Sequence, residues 1–370
     1  MNKKIGYVSV SSLDDVKTWS GTVNNLYLTM HDSYDIVPII IPKPKLFSFA
    51  DKVLNKLKIS YYPRFYSSYY RRAFNKEIGK YEDVDILFGC ALSHIFGSGI
   101  DKNGKKIIYL SDAVFSQMVD YYWFDLSAQR KKALNQLESN ALNIADYLIY
   151  SSEWGKEGAI SGYGVNENKI SVMPFPAPLE DRFLNNKTVD KEEIRFLFVG
   201  VAWKRKGTDD AIECIQKLNS VDTKHKYVLD IVGLQSDVAY ENVVFHGKLM
   251  RSDDKQRNEL ITLYQKADFF ILPTKAECSP VVLSEAYEYG LPFISTRTGG
   301  VNDLVIDGET GFLFDVKDKG SVYAERIASL VNNPNAYKKV SDACRKRYEQ
   351  RHSRESWIRE FDRIIKEISE

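Results

Sequence analysis

The segment Ala267-Asp268-Phe269-Phe270-Ile271-Leu272-Pro273 is followed, after Thr274-Lys275-Ala276, by Glu277-Cys278-Ser279-Pro280-Val281-Val282-Leu283-Ser284-Glu285. The apolar run reads as a buried strand, and Val281 to Tyr289 reads as a helix. Glu277 then stands in the connecting loop, and Glu285 about one turn inside the helix. Between them, Ser279, Pro280, Val281, Val282 and Leu283 form the helix start, where backbone N–H groups and the helix dipole bind anions. A ligand with hydroxyls at both ends and a diphosphate between them fits this arrangement. That is a sugar nucleotide.

Two glutamates can fall eight positions apart by chance, so the context carries the reading. Gly290-Leu291-Pro292-Phe293-Ile294-Ser295 leads into another strand. It is followed by Gly299-Gly300-Val301-Asn302-Asp303-Leu304-Val305 and Asp307-Gly308-Glu309-Thr310-Gly311-Phe312-Leu313. This run resembles the donor-binding region of glycosyltransferase family four, the retaining enzymes marked by an E-x7-E signature. The resemblance covers most of residues 147–315, more loosely 5–30, and does not extend over 42–140. It implies a GT-B fold, with two Rossmann-like domains facing a cleft and a C-terminal helix crossing back to the first domain.

The bulk properties are compatible with that reading. A chain of 370 residues accommodates two domains with separate cores. A net charge of +1 argues against a general nucleic-acid binder. Cys90, Cys214, Cys278 and Cys344 form no C-x-x-C pair, which points to a reducing compartment and no structural zinc. Met1-Asn2-Lys3-Lys4 runs straight into a strand without a secretory pattern, and no apolar run reaches the roughly 20 residues of a membrane span. The expected location is cytoplasmic.

Strands and helices alternate throughout, which predicts parallel sheets flanked by helices. In the first half the predicted strands are 4–9, 36–41, 86–88, 106–110, 147–150 and 169–173, with helices over 21–31 and 126–145. The second series is 194–199, 227–232, 243–246, 269–272 and 293–295. Leu184–Glu193 reads as a polar linker after Pro174, Pro176 and Pro178. The expected domains are 1–180 on the acceptor side and 190–350 for the nucleotide sugar. Residues 351–370 form a crossover helix with Trp357, Ile358, Phe361, Ile364 and Ile365 on one face.

Further site candidates leave the ends of strands, where α/β sheets bind ligands. Phe196-Leu197-Phe198-Val199-Gly200 is followed by Trp203-Lys204-Arg205-Lys206-Gly207. This segment resembles the family's Gly…Arg-Lys-Gly element, so Arg205 and Lys206 are expected to neutralise the leaving diphosphate. Many members have Arg directly after the first glycine, where this chain has Val201. The resemblance assigns Glu277 to sugar hydroxyls, Glu285 to the ribose, and the backbone of Lys248 and Leu249, in a loop with His246, to the base.

In the first half, Ser20 is the expected N-cap of a helix, and Gly21 would let a phosphate approach the backbone. Asp112 follows a strand, and is either a contact for the transferred sugar or acceptor or an ordinary helix cap. No G-x-G-x-x-G run is present, which argues against a nicotinamide dinucleotide. None of the five histidines sits at metal-ligand spacing, and no metal or other cofactor is expected.

From Lys43 to Lys80, ten basic residues face two acidic ones, and nine aromatics interleave, among them Tyr61, Tyr62, Phe65, Tyr66, Tyr69, Tyr70 and Phe74. Such a surface suits an anionic membrane face. The alternative is a solvated helix and loop whose aromatics pack on the domain. The expected partners are a nucleotide sugar and a glycan, lipid-linked or protein acceptor, with no nucleic acid. The expected reaction is metal-independent, retaining sugar transfer from a nucleotide-diphosphate sugar, with a UDP-linked donor expected. Alternatives are a silent GT-B subunit supporting a partner transferase, or a GT-B sugar-nucleotide epimerase.

Overall fold

A computed structural model describes residues 4–47, 64–179, 182–184 and 187–370. The chain divides into two compact units: Met1–Met173 with Trp357–Glu370, and Pro174–Ser356.

In the first unit the described strands form a six-stranded parallel sheet, ordered β2-β1-β3-β4-β5-β6. Its strands are β1 (Lys4–Ser9), β2 (Asp35–Ile40), β3 (Ile86–Cys90), β4 (Lys106–Ser111), β5 (Tyr147–Tyr150) and β6 (Ile170–Val172). β1 pairs in parallel with β2 (Ile5 opposite Ile36) and with β3 (Val8 opposite Gly89). Ile5, Tyr7, Leu87 and Phe88 are all buried, as a sheet covered on both faces requires. The helices are α1 (Thr22–His31), α2 (Arg64–Ile78), α3 (Ser93–Phe96), α4 (Phe115–Met118), α5 (Ala128–Ile144) and α6 (Glu153–Tyr163).

The second unit holds β7 (Glu193–Val199), β8 (Lys226–Val232), β9 (Val243–Gly247), β10 (Phe269–Leu272), β11 (Phe293–Thr296) and β12 (Gly311–Phe314). Their order, β12-β11-β10-β7-β8-β9, is that of a doubly wound sheet. Its helices are α7 (Trp203–Lys206), α8 (Thr208–Val221), α9 (Asp254–Lys266), α10 (Val281–Glu288), α11 (Val301–Leu304), α12 (Gly320–Val331) and α13 (Pro334–Arg347). The chain order reverses between β7 and β10, so the loops that follow these two strands diverge at the switch point. That is where open α/β sheets take ligands.

The final helix, α14 (Arg354–Glu367), packs within the first unit. Trp357 and Phe361 stack at 5.0 Å and meet Phe88 edge-on, while Arg363 donates to Ser171 Oγ at 2.7 Å. The crossover expected from the apolar face of 351–370 is therefore present.

Two local expectations need correction. Ser20 is not the N-cap of α1. Trp19, Ser20 and Gly21 are all left-handed (φ 48°, 57° and 86°), Gly21 occupies the cap, and no side chain caps the helix. The polar stretch 184–193 is not simply a linker either. Lys187 is buried, and its ammonium donates to the carbonyls of Tyr264 (3.2 Å) and Gln265 (2.8 Å) and to that of Ala267, at the C-terminal end of α9. Three acceptors at the negative end of a helix dipole hold a cation there, although burial lowers its pKa to about 8.

In α2 the packing alternative holds for three of the aromatics. Tyr66, Tyr70 and Phe74 are buried against the domain, because their spacing places them on one helix face. Arg71, Arg72, Lys76 and Lys80 stay exposed. Lys52, Lys56, Lys58, Tyr61 and Tyr62, and the side chain of Phe65, lie outside the described residues.

Candidate active site

The site is built from the two loops at the switch point of the second unit. After β7, Gly200 donates its N–H to Val232 O at 3.0 Å, and the chain turns into the single helical turn α7. Gly207 ends that turn with φ 74°. A Cβ on Gly207 would lie 1.9 Å from Pro273 O, so only glycine lets this loop meet the end of β10. Lys275 N donates to Arg205 O at 2.7 Å, and Thr274 Oγ1 donates to the same oxygen at 3.1 Å. These bonds stitch the cationic loop to the Glu277 loop.

The result is one ion-pair cluster. Lys206 Nζ makes a short contact with Glu277 Oε2, and Arg205 Nη1 lies 3.4 Å from the same oxygen while donating to Ala276 O at 2.9 Å. Glu277 is 8% exposed. Arg205 is the more exposed of the two cations.

Helix α10 starts beside this loop with Pro280 at its N-cap, and no side chain caps it. Val281 and Val282 are half-buried, and Leu283 N donates to Pro280 O at 3.0 Å. Ser279 is buried. The helix is anchored from behind. Ser284 Oγ donates to Phe175 O at 2.7 Å and sits 2.8 Å from His352 Nδ1. Burial, with Arg347 and Arg351 nearby, depresses the His352 pKa and keeps that ring neutral.

Glu285 stands apart from the cluster. It is 0% exposed, accepts from Tyr264 OH at 2.6 Å through Oε2, and is paired through Oε1 with Arg251. Sequence reading missed both partners. Of the base-side residues, Lys248 is exposed and Leu249 half-buried in the loop after β9. His246, expected in that loop, instead lies within β9, with Nε2 2.8 Å from Asp230 Oδ1. Asp230 also accepts from Arg195 at 2.8 Å, so His246 belongs to a structural ion-pair group.

In the first unit, Gly21 stands at the uncapped start of α1. Asp112 follows β4 half-buried and is not a helix cap, since Val114 holds the N-cap position of α4. Glu138 of α5 is its electrostatic neighbour. Glu138 is 4% exposed, with Oε1 unpartnered, and its pKa is pushed up to about 7, mainly by burial and further by Asp112. Ser93, Tyr109, Tyr150 and Tyr163 also face it. A charged residue on the face shared with Ala141 and Leu142 was the available sequence signal.

A carboxyl whose pKa is raised by folding binds more protons in the native state between its unfolded and folded values. Stability therefore falls as pH rises from about 4.5 to about 7. Glu138→Gln removes this cost. Thermal unfolding at pH 8 is expected to show a gain of up to about 3 kcal/mol, with none at pH 4.

Among the described residues no group of three His, Cys, Asp or Glu is arranged to hold a metal, and no helix is long and apolar enough to cross a membrane.

The family described as Glycosyl transferases group 1 matches residues 180–347. A Klebsiella pneumoniae protein, an uncharacterized 41.2 kDa product of the cps region, is 26% identical over 279 residues, 72% of each chain. The Staphylococcus aureus capsular polysaccharide biosynthesis glycosyltransferase CapM is 26% identical over 59% of this chain and 60% of its own. Among solved structures, a Rickettsia africae glycosyltransferase superposes with a TM-score of 0.67 at 18% identity, covering 100% of this chain and 99% of its own. Anabaena HepE in complex with UDP and glucose gives 0.64 at 14%, covering 99% and 100%. Two doubly wound parallel sheets and these superpositions give the chain the GT-B architecture, and its second unit carries the match to the glycosyl transferases group 1 family.

Proposed function

We propose that this protein transfers a sugar, with retention of anomeric configuration and without a metal, from a UDP-linked donor to a glycan or lipid-linked acceptor in surface-polysaccharide assembly. The observation that carries the reading is the Arg205–Lys206–Glu277 cluster, stitched together at the switch point beside the uncapped start of α10. The capsular role in the name of CapM and the UDP bound to HepE support the acceptor and donor classes.

In this mechanism the diphosphate lies against Arg205, Lys206 and the N–H groups of Val281 and Val282. Charge grows on the diphosphate as the glycosidic bond breaks, and preorganised cations and dipoles stabilise that state most. Glu277 gives up part of its pairing to accept sugar hydroxyls and orient the anomeric carbon. Glu285 meets the ribose once Arg251 moves off Oε1. No protein nucleophile is assigned to the reactive face, so the acceptor attacks on the side from which the diphosphate departs. A phosphate oxygen of the donor takes the acceptor proton. The exposed cations of α2 would hold the enzyme at an anionic membrane face, at roughly 1 kcal/mol per residue.

The test is a panel of sugar nucleotides, followed by nucleotide-diphosphate release in the presence of a chelator. One or more donors should turn over slowly at an unchanged rate. Strict divalent dependence would contradict the metal-free route, and no release from any donor would favour a non-catalytic subunit. With the active donor, Glu285→Gln should raise KM, because ribose contacts bind ground and transition states alike. Glu277→Gln should lower kcat. The reverse pattern would exchange the two roles.

A further inference from the structure

The loop between α4 and α5 reads Val119-Asp120-Tyr121-Tyr122-Trp123-Phe124-Asp125, four consecutive aromatics between two aspartates. Such a run ordinarily turns inward, yet Trp123 is 42% and Phe124 62% exposed. The loop is not slack. Trp123 N and Tyr122 N donate to Met118 O at 2.9 and 3.0 Å, and Asp120 N donates to Trp123 O at 2.9 Å. Asp120 and Asp125 take left-handed conformations (φ 59° and 60°), strain that surrounding structure must hold in place. The rings are also supported from beneath. Trp123 packs on Phe115 at 5.5 Å, and Tyr121 on Trp154 at 5.6 Å.

This platform belongs to the ligand-binding edge of the first sheet. The loop follows β4, as Asp112 does, and Trp154 follows β5. Rigid aromatic side chains offer contact area at low entropic cost. A sugar ring offers a matching surface, with an apolar C–H face and a rim of hydroxyls. The indole of Trp123 and the ring of Phe124 suit the face, and the exposed carboxylate of Asp125 suits the rim, while Asp120 is paired with Lys131 at 3.3 Å. An anionic bilayer fits less well, because the exposed Asp125 would repel its headgroups. We propose that the 120–125 loop is a glycan subsite that holds a sugar ring of the acceptor. The assignment rests on the transferase reading and adds the residues that recognise the acceptor.

The test is glycan binding measured without donor, so a failed sugar-nucleotide panel leaves it interpretable. Labelled full-length protein is applied to an array of bacterial surface oligosaccharides, and in parallel sedimented with vesicles of equal parts phosphatidylglycerol and phosphatidylcholine. Wild type should bind at least one oligosaccharide. Trp123→Ala and Phe124→Ala should each weaken that binding by about tenfold, and Trp123→Phe should retain most of it. Thermal unfolding checks that the variants are folded, as exposed positions allow. Glycan binding unchanged in both alanine variants would overturn the proposal. So would absence of glycan binding, and Trp123-dependent vesicle binding in its place would assign the loop to the membrane.

Discussion

Arg205→Ala and Lys206→Ala should each lower turnover at saturating donor by about 10²–10³-fold, the effect of removing one preorganised group that stabilises transition-state charge. The expectation follows from where the cations are held. Arg205 is fixed through its carbonyl, which accepts from Lys275 N and Thr274 Oγ1, and through its guanidinium on Ala276 O. Little reorganisation is then needed when the diphosphate charge develops. Lys206 carries a second consequence, since its removal takes one of two neighbouring cations from the mostly buried Glu277 and leaves Arg205 3.4 Å away. Lys206→Ala should therefore also lower the melting temperature, and Arg205→Ala should do so less. Single-turnover kinetics and thermal unfolding measure the two effects. Losses below about fivefold in both variants would remove the clamp from the mechanism.

Gly207→Ala should reduce turnover by about 10²-fold without altering any group that touches the donor. Two costs meet at this position. The left-handed backbone disfavours a Cβ by roughly 1–2 kcal/mol, and that Cβ would lie 1.9 Å from Pro273 O, a backbone atom at the end of β10 that cannot rotate away. Loop and strand must separate, which carries Arg205 and Lys206 away from Glu277. A shift of about 1 Å in a positioned group is enough for a loss of this size. Gly104→Ala is the matched control, because Gly104 has the same φ of 74° with nothing within 4 Å of the added carbon. It should show the backbone cost alone, as a small loss of stability with normal turnover. Equal turnover in the two variants would mean that the close approach does not align the site.

Much of the architecture was legible because it is local. Continuous apolar runs such as Phe196–Val199 and Phe269–Leu272 are buried in a parallel sheet whatever lies elsewhere, so these strands were placed to within a residue or two, whereas β12 was not foreseen. The short segments that join the donor-side elements were legible as well. Gly207 after three cations, and Glu277 in the turn after β10, are features of adjacent residues.

Less of the first unit could be read. Ser20 has the chemistry of an N-cap, but the left-handed run through Trp19 and Ser20 displaces it. The aromatics of α2 allowed a membrane face or a core face, and packing against the sheet selects the core for Tyr66, Tyr70 and Phe74.

What the sequence by itself determined was the alternation of strand and helix, the helix start after Pro280, and the chemical types gathered at the strand ends. Only the tertiary structure decided their partners. Glu285 is paired with Arg251, 34 positions away, Lys187 caps a helix end some 80 positions on, and Glu138 is set beside Asp112. Burial follows from local periodicity. Pairing between distant charges follows from strand order and loop path, which place the loops after β7 and β10 side by side although some 70 residues separate them. A buried carboxylate must find a cation or a hydroxyl wherever that path delivers one.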